Sequence, residues 1–215
     1  FVDVGSARLF FDVVGEGLDA GSPDMKQRPT MILLHGGPGY DHSTLRPYFD
    51  RYSDTHQLIY LDHRGCGRSD HDFEDLGIAA IAGDVTALVD HLALSSVVLN
   101  GWSLGGAVAT HAASLLGPRC VGLVLTAGAS PIYTQKPDLE IGGQPEDVEG
   151  NVAAMNDDRV NFLTMLATAI CAKPPTDAVL ASMAGAFLNS SARASATLRS
   201  EEHTSELQSP CNLVC

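Results

Sequence analysis

The sequence predicts an α/β fold, with a mostly parallel central sheet flanked by helices. Three observations carry this. Short, continuous apolar runs recur along the first 130 residues, stretches of helical period lie between them, and one of the runs ends abruptly in a glycine-rich loop. A run that is apolar at every position suits a strand buried on both faces. Strands alternating with helices of this length imply parallel βαβ units.

The elements follow in chain order. Leu9 to Val14 reads as a short strand paired with Phe1 to Val4 across a Gly5-Ser6 turn. Met31 to Leu34 is a continuous apolar run that stops at His35-Gly36-Gly37-Pro38-Gly39. Ser43 is the expected cap of a helix reaching Tyr52, with Pro47 in its first turn or at a kink. Leu58 to Leu61 is the next strand and ends at Asp62. Ile78, Ile81, Val85, Leu88, Val89 and Leu92 recur at spacings of three and four, forming one apolar face of a helix that ends before Ser95. Val97 to Leu99 is a third strand, Ser103 to Leu116 is a helix stopped by Gly117-Pro118, and Val121 to Leu125 is a fourth strand.

Beyond Ala129 the pattern changes. Residues 131–150 hold Pro131, Pro137, Pro145, Gly142, Gly143 and Gly150, and read as loop. Val152 to Ile170 reads as one helix, broken by Pro174-Pro175, and Thr176 to Leu188 as a second, capped by Thr176 or Asp177. The expected organisation is a core over 1–130 and a partial helical lid over 131–198. Residues 199–215 lack glycine and any helical or strand period, and carry two of the five cysteines. They resemble translated sequencing-library or assembly sequence and are read as a non-native tail.

Composition limits the function classes. A chain of 215 residues suits one domain and hides about 70% of its unfolded surface. Uninterrupted apolar runs reach at most five residues, so no membrane span is expected. Lys and Arg number 13 against 26 Asp and Glu, a formal charge of −13. That balance disfavours nucleic acid and anionic membranes, which need a basic patch. Cys66, Cys120, Cys171, Cys211 and Cys215 are odd in number and form no CxxC pair. They read as free thiols in a reducing cytoplasm. No basic segment followed by an apolar stretch marks a signal peptide.

The sharpest chemical signal is Gly101-Trp102-Ser103-Leu104-Gly105, directly after one apolar strand and directly before an Ala-rich helix. That is the context of a nucleophile elbow. A serine on a tight strand-to-helix turn leaves no room for side chains two residues to either side, so both positions are glycine. Ser103 is the candidate nucleophile, with Gly101, Trp102 and Gly105 shaping the elbow. Acyl transfer also needs donors for a tetrahedral oxyanion. The backbone N–H of Leu104 is one candidate, and that of Gly37, in the glycine-rich loop after the first central strand, is the other. Pro38 has no N–H to give. Asp62 and Arg64, in Asp62-His63-Arg64-Gly65-Cys66-Gly67-Arg68-Ser69-Asp70, read as structural stitches of the neighbouring loop. His63, His71 and Asp72 form no HxHxD or HExxH pattern, so no metal is expected. Neither GxGxxG nor GxxxxGK[ST] occurs, and no organic cofactor is implied.

With HGGPG, DHRGCGRSD and GWSLGG together, the chain resembles the α/β-hydrolase superfamily, and most closely its proline iminopeptidase branch. That branch commonly carries Gln where His63 stands and Trp where Leu104 stands. The resemblance implies a serine hydrolase of small amide or ester substrates. In the aminopeptidase branch, lid carboxylates would bind a free amine, and Glu146, Asp147, Glu149, Asp157 and Asp158 are available. The same residues also read as a solvated acidic face. An esterase or carbon–carbon hydrolase, or a non-catalytic binding protein on the same fold, are the alternatives. The expected partner is a small-molecule or peptide substrate.

The superfamily orders its triad as Ser, then acid, then His. Two histidines follow Ser103. His111 stands eight residues along the helix, a rise of about 12 Å, and His203 lies in the odd tail. The acid and base are therefore expected to be absent from this chain. It reads as a C-terminally truncated piece of its parent enzyme and is expected to be nearly inert.

Overall fold

The computed structural model describes residues 1–5, 8–19, 21–37, 39–128 and 144–196. Two strands, β1 (Val2–Asp3) and β2 (Arg8–Leu9), form an antiparallel pair. The main sheet holds β3 (Phe11–Val14), β4 (Thr30–Leu34), β5 (Gln57–Leu61), β6 (Val97–Trp102) and β7 (Cys120–Thr126) in the order β3-β5-β4-β6-β7. Only β3 runs antiparallel to its neighbour. Between the strands come α1 (Arg46–Phe49), α2 (Ile78–His91) and α3 (Leu104–Leu116). After them come α4 (Pro145–Asp157), α5 (Arg159–Ala169) and α6 (Asp177–Leu188).

Continuous apolar strands are buried on both faces because helices cover both. Ile32, Leu34, Ile59, Leu61 and Leu99 pack in one cluster with residues of α2 and α3. Leu33, Leu58 and Tyr60, one residue out of phase, pack with Leu45 and Phe49 on the other side. Burying each such side chain contributes about 1.5–3 kcal/mol. A third cluster joins Leu163, Ala167 and Phe187 of the later helices to Tyr40. β7 forms an edge of the described sheet, and Val121 and Leu125 are exposed there.

Several expectations change in detail. The first strand does not run through from Leu9 to Val14. The Phe10 N–H donates to Ser69 Oγ at 2.9 Å and its carbonyl accepts from Asp62 N at 3.0 Å. Phe10 is thus diverted to the loop after β5, which separates β2 from β3. Asp41, not Ser43, caps the turn before α1, its carboxylate accepting from Ser43 N at 2.9 Å. The helix predicted over 152–170 is two helices. The Asp158 carboxylate accepts from Asn161 N at 3.0 Å and starts α5 afresh. α4 begins at Pro145, a residue tolerated in a first turn, so 145–150 are helix rather than loop. Thr176 caps α6. The loop read over 131–143 and the tail over 199–215 lie outside the described residues.

Arg64 and Asp84 tie the loop after β5 to α2. Arg64 donates to both Asp84 oxygens, at 2.7 and 2.5 Å, and to the Asp75 carbonyl at 2.7 Å. Its guanidinium also lies over the Phe73 ring. The Asp84 side chain is 3% exposed. Removing one partner of a buried pair strands the other charge and costs about 3–5 kcal/mol. Arg64→Ala is therefore expected to lower unfolding stability by about that amount in urea titration.

Candidate active site

The parallel pairing of β4 with β6 sets Leu34 opposite Gly101. The two glycine-rich loops therefore leave the sheet side by side at the same end. Ser103 stands between β6 and α3 with φ 51° and ψ −121°, a positive φ that a serine adopts only under constraint. The constraint is visible. Ser103 N donates to Thr126 O of β7 at 3.1 Å, and Ser103 O accepts from Gly106 N at 2.7 Å. Its side chain makes no capping bond to the helix it starts. The residue is half-buried, at the positive end of α3.

The glycines are there because other atoms occupy the space. A Cβ on Gly101 would sit within the Gly105 backbone, and one on Gly105 would sit on the Leu34 and His35 carbonyls. On the facing loop, a Cβ on Gly36 would lie 3.2 Å from Ser103 Cβ, and one on Gly37 would lie 2.5 Å from Leu104 Cδ2. The structure thus packs Gly36 against Ser103 and Gly37 against Leu104 across the two facing loops. Pro38 lies outside the described residues. Trp102 stacks on Tyr40, with centroids 5.0 Å apart. It lines a cavity of about 970 Å³ with Tyr40, Tyr48, Phe49 and Met183. Trp102, rather than Ser103, borders that space.

Two histidine arrangements buttress the loops, and sequence reasoning found neither. His35 and His63 are buried with rings 4.0 Å apart. His35 Nδ1 donates to Gly36 O at 2.7 Å, and its Nε2 accepts from His63 N at 3.1 Å. His63 Nε2 donates to His35 O at 3.1 Å, leaving Nδ1 an acceptor with no partner among the described residues. Such an orphan costs about 1–3 kcal/mol. Burial lowers the His35 pKa to about 4 and pushes that of His63 well below its ordinary value. His42 behaves oppositely. Its Nδ1 donates to Asp62 Oδ1 at 2.8 Å, and Asp62 also accepts from His42 N and Arg68 N. Burial pulls the imidazole pKa down, but Asp62 outweighs it and the net shift is upward. A histidine at or next to the end of each of two apolar runs, His35 after Leu34 and His63 after Asp62, was the signal available in the sequence, but not that these runs pair.

The other candidates are dispersed. His111 lies along α3, eight residues from Ser103, and His203 is outside the described residues. His71 Nε2 bonds to Gly67 O, away from His63. Among the described residues no group of three His, Cys, Asp or Glu could hold a metal. Asp158 caps α5, and Glu146 and Asp147 occupy the first turn of α4, where negative charge complements the helix dipole. Glu149 and Asp157 are exposed.

Two measurements follow from this geometry. Gly105→Ala forces a methyl onto backbone carbonyls that cannot swing aside. It is expected to destabilise by more than the about 1–3 kcal/mol of ordinary overpacking, read from the thermal midpoint. The pH dependence has a definite sign. The unfolded chain protonates His35 near its ordinary 6.5, while the folded chain does so near 4. Stability is full above 6.5 and falls as pH drops toward 4, by about 3 kcal/mol from His35 alone, with His63 adding in the same direction. His42 runs the other way, its contribution being full below 6.5 and lost as pH rises through its folded value. Urea midpoints of the chain and of His35→Asn across this window should show a flatter acid limb in the variant.

Comparison with known proteins bears on these features. Residues 29–164 match the profile of the family described as "alpha/beta hydrolase fold". The chain is 29% identical over 160 residues to the AB hydrolase superfamily protein YisY of Bacillus subtilis, covering 74% of this chain and 55% of that protein. It is 31% identical over 138 residues to a pimeloyl-[acyl-carrier protein] methyl ester esterase of Xanthomonas axonopodis pv. citri, covering 64% and 47%. The chain spans about half the length of the curated relatives it matches. In structure it resembles an esterase from Exiguobacterium antarcticum, with a TM-score of 0.80 at 20% identity over 91% of this chain and 70% of that one. These relatives are esterases and hydrolases, so the finer resemblance to the proline iminopeptidase branch is not supported. No helix among the described residues is long and apolar enough to cross a membrane. With a profile matched over more than half its length and the sheet, elbow and facing loop in their places, the chain belongs to the alpha/beta-hydrolase fold family.

Proposed function

We propose that the chain carries the nucleophile and oxyanion donors of a serine hydrolase that cleaves small carboxylic esters. The observation that carries this reading is Ser103 at positive φ, with Gly37 packed against Leu104 beside it. In this reading Ser103 Oγ attacks the substrate carbonyl carbon as a base takes its proton. The carbonyl electron pair moves to oxygen, where the N–H groups of Leu104 and Gly37 hold the charge. The ester C–O bond then breaks, the alcohol leaves with the proton, and water releases the acid from Ser103.

Every described histidine near the loops is engaged elsewhere, His35 and His63 with each other and His42 with Asp62. We place the acid and base of the triad outside the described residues. Helices α4 to α6 serve as the lid in this reading. The segment after α6 lies over the Gly39 loop, where a Cβ on Gly39 would meet the Phe187 carbonyl and Ser190. An aminopeptidase reading needs a carboxylate free to bind an amine. Asp158 caps α5 and Glu146 and Asp147 lie in the first turn of α4, but Glu149 and Asp157 are exposed, so these residues do not decide between an amine site and a solvated face. The preference for an ester rests on the names of the esterase relatives. Free thiols at Cys66, Cys120 and Cys171 support a reducing, cytoplasmic setting.

The test is covalent labelling. A fluorophosphonate incubated with the chain should attach at Ser103 on peptide mapping, and Ser103→Ala should take none. Label elsewhere, or equal labelling of the variant, overturns the reading. Turnover of a p-nitrophenyl ester reads the same nucleophile, and whatever turnover the chain shows should be lost in Ser103→Ala.

A further inference from the structure

His35 and His63 are wholly buried at the ends of β4 and β5, and the reaction outlined above gives them no part. Their bonds nevertheless fix the protons of both rings. Gly36 O can only accept, so His35 Nδ1 carries hydrogen and its Nε2 is the bare acceptor that receives His63 N–H. His35 O can only accept, so the side-chain hydrogen of His63 is on Nε2. Both nitrogens and the carbonyl of His35 are thereby consumed by the two loops.

One of these bonds bears on the proposed oxyanion donor. In a trans peptide the C=O and the following N–H point to opposite sides. The bond from His35 Nδ1 holds the Gly36 carbonyl toward the His35 ring, so the Gly37 N–H is turned away from that ring. On this stretch Gly36 abuts Ser103 and Gly37 abuts Leu104. We infer that His35 and His63 are positioning residues, whose interlock holds the Gly36–Gly37 peptide in the orientation that presents the Gly37 N–H to an oxyanion formed on Ser103. The inference rests on the oxyanion reading of Gly37. Neither ring touches the substrate. His63 acts through His35 by pinning its carbonyl and its Nε2.

The experiment uses the 215-residue chain labelled with ¹⁵N. Long-range nitrogen–proton spectra should show His35 as the Nδ1–H tautomer and His63 as the Nε2–H tautomer. The Gly37 amide should give one sharp signal in the unmodified chain and in His63→Gln, whose amide can still donate to His35 O. In His63→Leu the signal should broaden or split while the amides of Gly101 and Gly105 stay unchanged. Phosphonylation of Ser103 should slow by about 10-fold or more in His63→Leu and recover in His63→Gln, short of the about 10²–10³-fold loss for deleting an oxyanion donor outright. An Nε2–H tautomer at His35, an unchanged Gly37 signal in His63→Leu, or equal slowing in both variants overturns the inference. If His63→Leu fails to fold, the tautomers of the unmodified chain and the Gln variant still decide it. If Ser103 takes no label at all, the hydrolase reading fails, while tautomers and the Gly37 signal still test the interlock.

Discussion

The candidate site depends on a backbone contact. Gly105, in the first turn of α3, lies where any Cβ would strike the carbonyls of Leu34 and His35 at the end of β4. Gly101 is held as tightly against Gly105 itself. The chain can reverse from β6 into α3 only because both positions lack a side chain, and the reversal leaves Ser103 at positive φ. The same contact draws the loop after β4 against the elbow. The placing of Ser103 and of the loop that faces it thus follows from one packing constraint, carried by backbone, which no flexible side chain can relax.

Around that contact the protein spends buried polar groups on holding loops still. Asp62 gathers His42 and the Arg68 amide. Arg64 anchors the same loop to Asp84 on α2. His35 and His63 lock the first turns after β4 and β5 together. Each arrangement would cost stability if half satisfied, and the His63 Nδ1 shows that some of that cost is present. Loops carry no ladder of their own to define them, so side chains do it here. The opposed pKa shifts of His35 and His42 record two solutions, a ring kept dry so that burial disfavours its charged form and a ring beside a carboxylate that favours its charged form.

The helices after residue 144 use charge differently. Glu146 and Asp147 lie in the first turn of α4 and Asp177 in that of α6, while Asp158 caps α5 and divides one predicted helix into two. Arg159 then reaches across to the segment after α6, donating to Ser190 and Ser195 oxygens. That segment covers Gly39 and Gly65, so the helical layer is fastened to the loops that follow β4 and β5.

Strand existence, the mostly parallel direction of the core and a glycine-flanked turn at Ser103 were legible in the sequence, because each has a local signature. A strand buried on both faces must be apolar throughout, as Met31 to Leu34 and Leu58 to Leu61 are. An elbow must have glycine at both flanks, as Gly101 and Gly105 do. Helix boundaries were legible only to within a residue or two. Of Thr176 and Asp177, both expected as caps of α6, Thr176 makes the bond, while Asp41 in place of Ser43 and Asp158 were not foreseen, because a side chain's choice of amide depends on the turn already formed. The histidine interlock was beyond sequence reasoning for a deeper reason. His35 and His63 stand 28 residues apart. Their meeting requires that β4 pair with β5, Leu34 opposite Leu61. Strand adjacency and register are decided by the packing of the whole sheet, and only that packing turns two separate residues into one hydrogen-bonded pair.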